Sequence, residues 1–232
     1  MNEISIIDMF KAKVHFGHLK RFTSPKMFKY IHSINNKISI INLDLTLKSM
    51  IHALNFIENV INKNGTILFV GTKRQSRKVI KNYSDKMDMP YVNFRWLGGL
   101  LTNFKTIKES VAKLNDLEKM KKKDDFKHLI KKEALIMNKR LNKLKLNLDG
   151  IKNMKKIPDA LFIVDVNYES IALLEAIKLS IPIIGIVDTN SDPDNIDYVI
   201  PGNDDSVDSI DFYLNVVCNH ILSLKKNKKK ID

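Results

Sequence analysis

Apolar positions along the chain follow two alternating rhythms, one helical and one strand-like, and the alternation predicts an α/β fold. Helical spacing opens the chain over Ser5 to Lys13, with Ile6, Ile7, Met9 and Phe10 as apolar positions, and Gly17 stops it. Ile38 to Leu43 reads as a short strand. Asp44 is placed to cap the next helix, marked by Leu47, Ile51, Leu54, Ile57 and Ile61 and ended by Asn64-Gly65. Thr66 to Val70 is a β-forming run, Gly71-Thr72-Lys73-Arg74 turns into a second helix reaching about Met87, and Tyr91 to Asn93 is a third strand. Ala160 to Val164 and Pro182 to Val187 are continuous apolar runs, the pattern of parallel strands covered on both faces. The helix between them is marked by Ile171, Leu174, Ile177 and Lys178. Tyr198 to Ile200 gives a last short strand and Ser206 to Leu224 a closing helix.

Between Thr102 and Leu148 the rhythm is helical throughout. Ile107, Val111, Leu114 and Leu117 recur at spacings of four and three, as do Met137, Leu141, Leu144 and Leu148. Two antiparallel helices sharing one apolar seam fit this, with a turn near Lys122 to Asp125. At 1.5 Å per residue each would reach roughly 30 Å. The predicted organisation is an α/β body built from residues 1–102 and 149–224, a helical-hairpin insertion at 103–148, and a frayed basic tail at 225–232.

Charge narrows the partner class. The 232 residues carry a formal charge of +13, which favours a polyanion because each neutralised phosphate releases condensed counterions. Lysine outnumbers arginine 34 to 5, so the charge supports a class of partner and does not mark a site. Cys218 is the single cysteine, which excludes an internal disulfide and a cysteine-based zinc site; within the apolar run Tyr213 to Ile221 it reads as core. Met1 to Ser5 has no secretory pattern, and the longest apolar runs are too short to span a bilayer, so the expected setting is the cytoplasm with no membrane partner.

Candidate chemistry concentrates in Asn93 to Asn103, which holds the only tryptophan, Arg95 and the pair Gly98-Gly99. Adjacent glycines admit positive φ or close approach of another chain, and Arg95 and Trp96 offer planar groups that stack on bases. Thr102 or Asn103 caps the helix that follows. The stretch reads as a rigid joint between body and arm, with Trp96 serving either as a base-stacking group or as a buried hinge anchor. In Lys20 to Tyr30 cations alternate with aromatics, which suits irregular RNA or, equally, a surface loop pinned by its aromatics. The junction after Val70 sets backbone N–H groups and cations where an anion can sit, but lacks both glycine-rich nucleotide fingerprints. The RNA-contact candidates are therefore Arg21, Lys26, Lys73, Arg74, Arg77, Arg95, Trp96, Gly98, Gly99 and Asn103, with Lys105, Lys108, Lys131 and Lys132 on the arm.

Seven strings resemble together the bacterial form of the second small-subunit ribosomal protein family. They are Val14 to His18, Pro25 to Met27, Val70 to Arg74, Arg95 to Asn103, Lys131 to Leu135, Asp188 to Asp194 and Ile200 to Asp205, in matching order and spacing from about Ile6 to Leu222. The resemblance implies a flavodoxin-like (Rossmann-like) parallel sheet flanked by helices, with an inserted antiparallel coiled-coil hairpin. It also implies a structural, non-enzymatic constituent of the small ribosomal subunit between head and body. Its expected partners are small-subunit ribosomal RNA and neighbouring proteins, among them the first small-subunit protein. The chain departs from the family in Ser24, where asparagine is usual, and in its short end after Leu224.

The Asp188 loop follows the carboxyl end of a strand, where α/β folds place ligands. His18, Asp188, Asp204 and Asp205, with His15, Asp192 and Asp194 nearby in the pattern, make a mixed N/O set for zinc or magnesium. The same residues also serve as buried hydrogen-bonding histidines and turn-forming aspartates, and no other cofactor is required. Two further readings stand beside the ribosomal one. A nucleotide-binding α/β enzyme explains the sheet but lacks the glycine loop, a nucleophile-base pair and a use for the basic hairpin. A free RNA chaperone shares the surface chemistry and differs only in where it sediments.

Overall fold

A four-residue run that is buried on both faces, such as Ile67 to Val70, has to pair inside a sheet with protein above and below it. In the computed structural model, which describes residues 4–122 and 131–228, this is how the apolar runs are used. In chain order the elements are α1 (Ile6–Lys11), β1 (Phe16–Leu19), β2 (Ile31–Asn35), β3 (Ile38–Ile41), α2 (Leu43–Asn62), β4 (Ile67–Val70), α3 (Arg77–Met87), β5 (Tyr91–Val92), α4 (Phe104–Lys122), α5 (Lys131–Leu148), β6 (Ala160–Val164), α6 (Ser170–Lys178), β7 (Ile183–Val187), β8 (Tyr198–Pro201) and α7 (Val207–Lys228).

The main sheet runs β5-β4-β6-β7-β8 with every neighbouring pair parallel. The chain moves outward from β4 to β5, then returns to β6 and continues the other way. This is the flavodoxin order, with its switch point between β4 and β6. Alternate residues divide the core. Ile67, Phe69, Phe162 and Ile184 pack under α2, α3 and α7, while Leu68, Val70, Leu161 and Ile163 pack under the other layer. That second layer has one short helix, α6, and is completed by Trp96, Leu100 and Leu101 of the joint with Ile107, Leu114, Leu141 and Leu148 from α4 and α5. The inner positions of α4 and α5 are therefore part of the body's core. Glu118 of α4 pairs with Lys145 of α5 and with Lys152 just beyond it. The turn expected near Lys122 to Asp125 falls largely outside the described residues.

A three-stranded antiparallel sheet, β1-β3-β2, surrounds the strand expected at Ile38 to Leu43, and its two outer strands occupy the stretch whose pattern suggests only a helix stop and a basic loop. Its tight turn is Asn36-Lys37, both at positive φ (47° and 66°), the handedness that matches the twist of a two-residue hairpin. Lys20 to Tyr30 forms two short 3-10 turns between β1 and β2. This small sheet lies against the carboxyl ends of the parallel strands. His18 donates its backbone N–H to Thr189 Oγ1 (2.8 Å), and Ser24 donates to the Thr189 carbonyl (2.7 Å).

Three local expectations are corrected. Asn42 caps α2, because its Oδ1 accepts from the N–H groups of Asp44 (2.9 Å) and Leu45 (3.4 Å), leaving Asp44 in the first turn. The basic tail is helical through Lys228: Lys228 Nζ donates to the carbonyls of Ile61 and Asn62 at the end of α2, and Lys225 Nζ to that of Met87 at the end of α3. Finally, Ile171, Leu174 and Ile177 of α6 face outward, whereas Ala172, Glu175 and Ala176 face the sheet.

Candidate nucleic-acid interface and carboxylate cluster

At the carboxyl end of β4 the chain leaves the sheet through Gly71-Thr72-Lys73, and at that of β6 through Asp165 to Glu169. These two exits flank the switch point, where related folds bind phosphates or nucleotides. Here the groups that would hold an anion are engaged by the protein's own carboxylates. The buried Glu169 carboxylate accepts from the Thr72 backbone N–H (2.5 Å), the donor a phosphate oxygen would use. Lys73 Nζ lies 2.9 Å from Asp165, 3.1 Å from Asp204 and 2.5 Å from Asp205. Burial alone would lower the Lys73 pKa, but Asp204, Asp205 and Asp165 outweigh it and hold the ammonium charged. Lys73 is thus the internal counter-ion of three carboxylates and not an outward-facing cation. Burial, reinforced by Asp188 and Asp165, raises the Asp204 pKa, and the Lys73 ammonium opposes that rise.

Next to this cluster, β7 ends in Asp188, and β1 brings His18 over it. His18 Nδ1 lies 3.2 Å from Asp188 Oδ2, misaligned for a hydrogen bond, and Nε2 lies 3.2 Å from Asp205 Oδ2. The Asp188 carboxylate raises the imidazole pKa to about 8 against the opposing effect of burial. One donor atom from each of His18, Asp188 and Asp205 lies within 4.8 Å of the others. Asp204 is beside them, with Oδ2 buried and unpartnered. The remaining metal candidates are elsewhere: His15 stacks on Phe10 (centroids 4.4 Å apart), and Asp192 and Asp194 hold Lys26 at 2.6 and 2.5 Å. Lys26 is exposed but doubly paired.

The joint is organised by a residue that sequence reading missed. Glu175, reaching across from α6, accepts five hydrogen bonds. They come from the Trp96 indole N–H (3.0 Å), the backbone N–H groups of Gly99 (2.7 Å), Leu101 (3.0 Å) and Thr102 (3.1 Å), and the Thr102 hydroxyl (3.2 Å). Burial would raise its pKa, but these donors, the Trp96 indole foremost, hold it below the usual carboxylate value. A buried carboxylate needs such a ring of donors. Trp96 is therefore the buried hinge anchor, only 6% exposed, and presents no face for stacking. Gly99 sits at φ +83°, while Gly98 is exposed, and a Cβ added there would meet no atom within 4 Å. Asn103 accepts from the Thr106 hydroxyl (3.0 Å), and its carbonyl accepts the Ile107 N–H at the start of α4.

The other cation candidates face outward. Arg77 donates from Nε to the Thr72 carbonyl (2.8 Å) and stacks over Phe94 at 4.8 Å, so it is held flat at the mouth of the switch-point hollow. Arg21 lies over Phe22 at 4.6 Å and Lys108 over Phe104 at 5.0 Å. Arg74, Arg95, Lys105, Lys131 and Lys132 are exposed and make no ion pair among the described residues.

A flavodoxin-order sheet whose anion-holding groups are engaged by its own carboxylates, joined to a lysine-rich helical pair, defines an α/β protein with a basic helical extension. Comparison with known proteins makes the class particular. A profile for ribosomal protein S2 matches residues 9–223. The chain is 53% identical over 226 residues to the small ribosomal subunit protein uS2 of Hahella chejuensis, covering 96% of this chain and 89% of that protein. It is 48% identical over 227 residues to the uS2 of Marinobacter nauticus, covering 98% and 91%. The chain belongs to the ribosomal protein S2 family: it is a structural constituent of the small ribosomal subunit and has no enzymatic role.

Proposed function

We propose that the chain binds small-subunit ribosomal RNA between head and body, reading shape through phosphate contacts and linking that RNA to neighbouring proteins, the first small-subunit protein among them. It works bound to the ribosome in the cytoplasm. The observation that carries this reading is the segregation of charge. Lys26 and Lys73 are consumed by carboxylates, whereas α4 and α5 together bear twelve cations against four acidic residues. Arg74 after β4 and Arg95 in the joint add exposed guanidinium groups, and Arg77 with Phe94 adds a flat surface suited to a base. The hairpin arm carries its lysines to a second RNA region. In a co-sedimentation assay, Arg74→Ala with Arg95→Ala is expected to weaken incorporation into small subunits and to reduce the log–log salt slope of RNA binding by up to about two. Unchanged incorporation together with an unchanged slope would remove these arginines from the interface.

The carboxylate cluster supports a second element of the reading: a divalent metal held by His18, Asp188 and Asp205, with the unpartnered Asp204 beside them. The imidazole favours zinc over magnesium, which prefers an all-oxygen shell. The ion would supply the positive charge that a proton on His18 otherwise provides and would tie β1 to the ends of β7 and β8. Elemental analysis of protein purified without chelator should find about one equivalent, lost in His18→Ala. Finding none in either protein would end this reading.

A further inference from the structure

Two aromatic rings stay partly in water around the switch-point hollow, Phe94 at 38% exposed and Tyr168 at 58%. Phe94 is held as a platform. The Arg77 guanidinium lies over its ring at 4.8 Å, donates to the Phe94 carbonyl at 3.5 Å and to that of Thr72 at 2.8 Å, and Asn93 donates in turn to the Arg77 carbonyl (2.9 Å). Tyr168 is pinned at the backbone, where its N–H donates to Asp165 Oδ1 (2.9 Å). A platform fixed in this way gives up little freedom when a ligand settles on it.

The size and polarity of the hollow say what fits. Its volume is about 410 Å³. Small-molecule pockets run from roughly 300 to 1,000 Å³, so there is room for a planar ring system and none for a helix or hairpin. A phosphate has no place inside, because the Thr72 N–H that would hold it donates to the Glu169 carboxylate. That glutamate is the one acid in the lining and it is buried. The exposed charge is positive, from Arg77 and from Arg95, which makes no ion pair among the described residues. A flat, uncharged group inside and an anion at the edge is the chemistry of one nucleotide in a strand.

We propose that this hollow receives one unpaired base of the small-subunit ribosomal RNA, turned out of its own stack. The base lies against the Arg77–Phe94 pair and Tyr168, and its flanking phosphate meets Arg95. The proposal rests on the RNA reading above and narrows it to a single inserted nucleotide, with Tyr168 as a further contact residue. A base held within a duplex cannot enter, so the nucleotide belongs to a loop, a bulge or a single strand. A second copy of the chain suits the hollow poorly, since each copy brings a charge of +13.

The full-length chain is titrated with a transcript of small-subunit ribosomal RNA over a range of salt concentrations. Tyr168→Ala, at a solvent-facing position, is expected to keep the unfolding midpoint and to weaken binding about 5- to 100-fold, the range for losing one stacked ring. Its salt slope should stay that of the unaltered chain, because stacking releases no counterions, whereas Arg74→Ala with Arg95→Ala lowers the slope. Tyr168→Phe keeps the ring and should bind within about twofold of the unaltered chain. Affinity within about twofold for Tyr168→Ala, or a loss as large in Tyr168→Phe, overturns the proposal. In assembled small subunits, a benzophenone side chain at position 168 should crosslink to a single unpaired nucleotide. Crosslinks to a ribosomal protein, to paired nucleotides or to nothing overturn it. Failure of the unaltered chain to bind the transcript and to co-sediment with small subunits rejects the RNA reading itself, and the proposal with it.

Discussion

Glu175→Ala is the substitution that tests the account of the joint most directly. It removes the acceptor of five hydrogen bonds and leaves their donors behind. Gly99, Thr102 and the Thr102 hydroxyl are partly or fully open to water and recover hydration. The Trp96 indole N–H and the Leu101 backbone N–H are buried and do not. Two stranded donors at about 1–3 kcal/mol each, offset in part by no longer burying a charge, give a loss of roughly 2–5 kcal/mol. Glu175→Gln should recover little, because its amide NH2 would face N–H groups where the carboxylate now accepts. Trp96→Phe removes a single donor and should cost about 1 kcal/mol beyond its lost volume. Trp96 is the only tryptophan, so its emission reports on the joint, while far-ultraviolet circular dichroism in the same urea titration reports on the whole chain. In Glu175→Ala the native emission should shift to longer wavelength and the midpoint should fall. An unshifted native spectrum with a loss below about 1 kcal/mol would refute the reasoning.

Other outcomes follow from the same geometry. Gly99→Ala should destabilise by about 1–2 kcal/mol because φ is +83° there, whereas Gly98→Ala, with open space around it, should be close to neutral in the same thermal melts. Lys73→Met leaves Asp165, Asp204 and Asp205 without their counter-ion and should cost about 3–5 kcal/mol, against a change within about 0.5 kcal/mol for the exposed Arg74→Met; equal effects would contradict the cluster. His18 is raised to about 8 in the folded chain from an ordinary 6.5, so its charge stabilises the fold fully below pH 6.5. That contribution, on the order of 2 kcal/mol, is lost as pH rises through 8. Denaturant titrations of metal-stripped protein across this window should show the decline, and His18→Ala should flatten it.

Legibility varied with the range of the interactions. The five strands of the main sheet were readable because each run announces burial by its own composition, and β-branched neighbours suit a covered strand. In the β1-β3-β2 sheet the central strand β3 was readable, but β1 and β2 were missed because they are short and largely exposed, although Asn36-Lys37 after Asn35 carried a hairpin signal. Glu175 escaped notice because a lone glutamate among apolar residues in a helix reads as its solvent face.

The sequence by itself determined the α/β alternation, the helical interruption, the basic surplus and the family likeness, all of which depend on patterns within a few turns of chain or on composition. Only the tertiary structure decided which cations are spare. Lys73 and Arg74 are adjacent, yet Lys73 is neutralised by carboxylates 92 and 131 residues away while Arg74 stays in water. It likewise turned α6 so that Glu175 meets the joint and leucine and isoleucine meet solvent. A charge is defined by its surroundings, and those are assembled only when distant segments fold together.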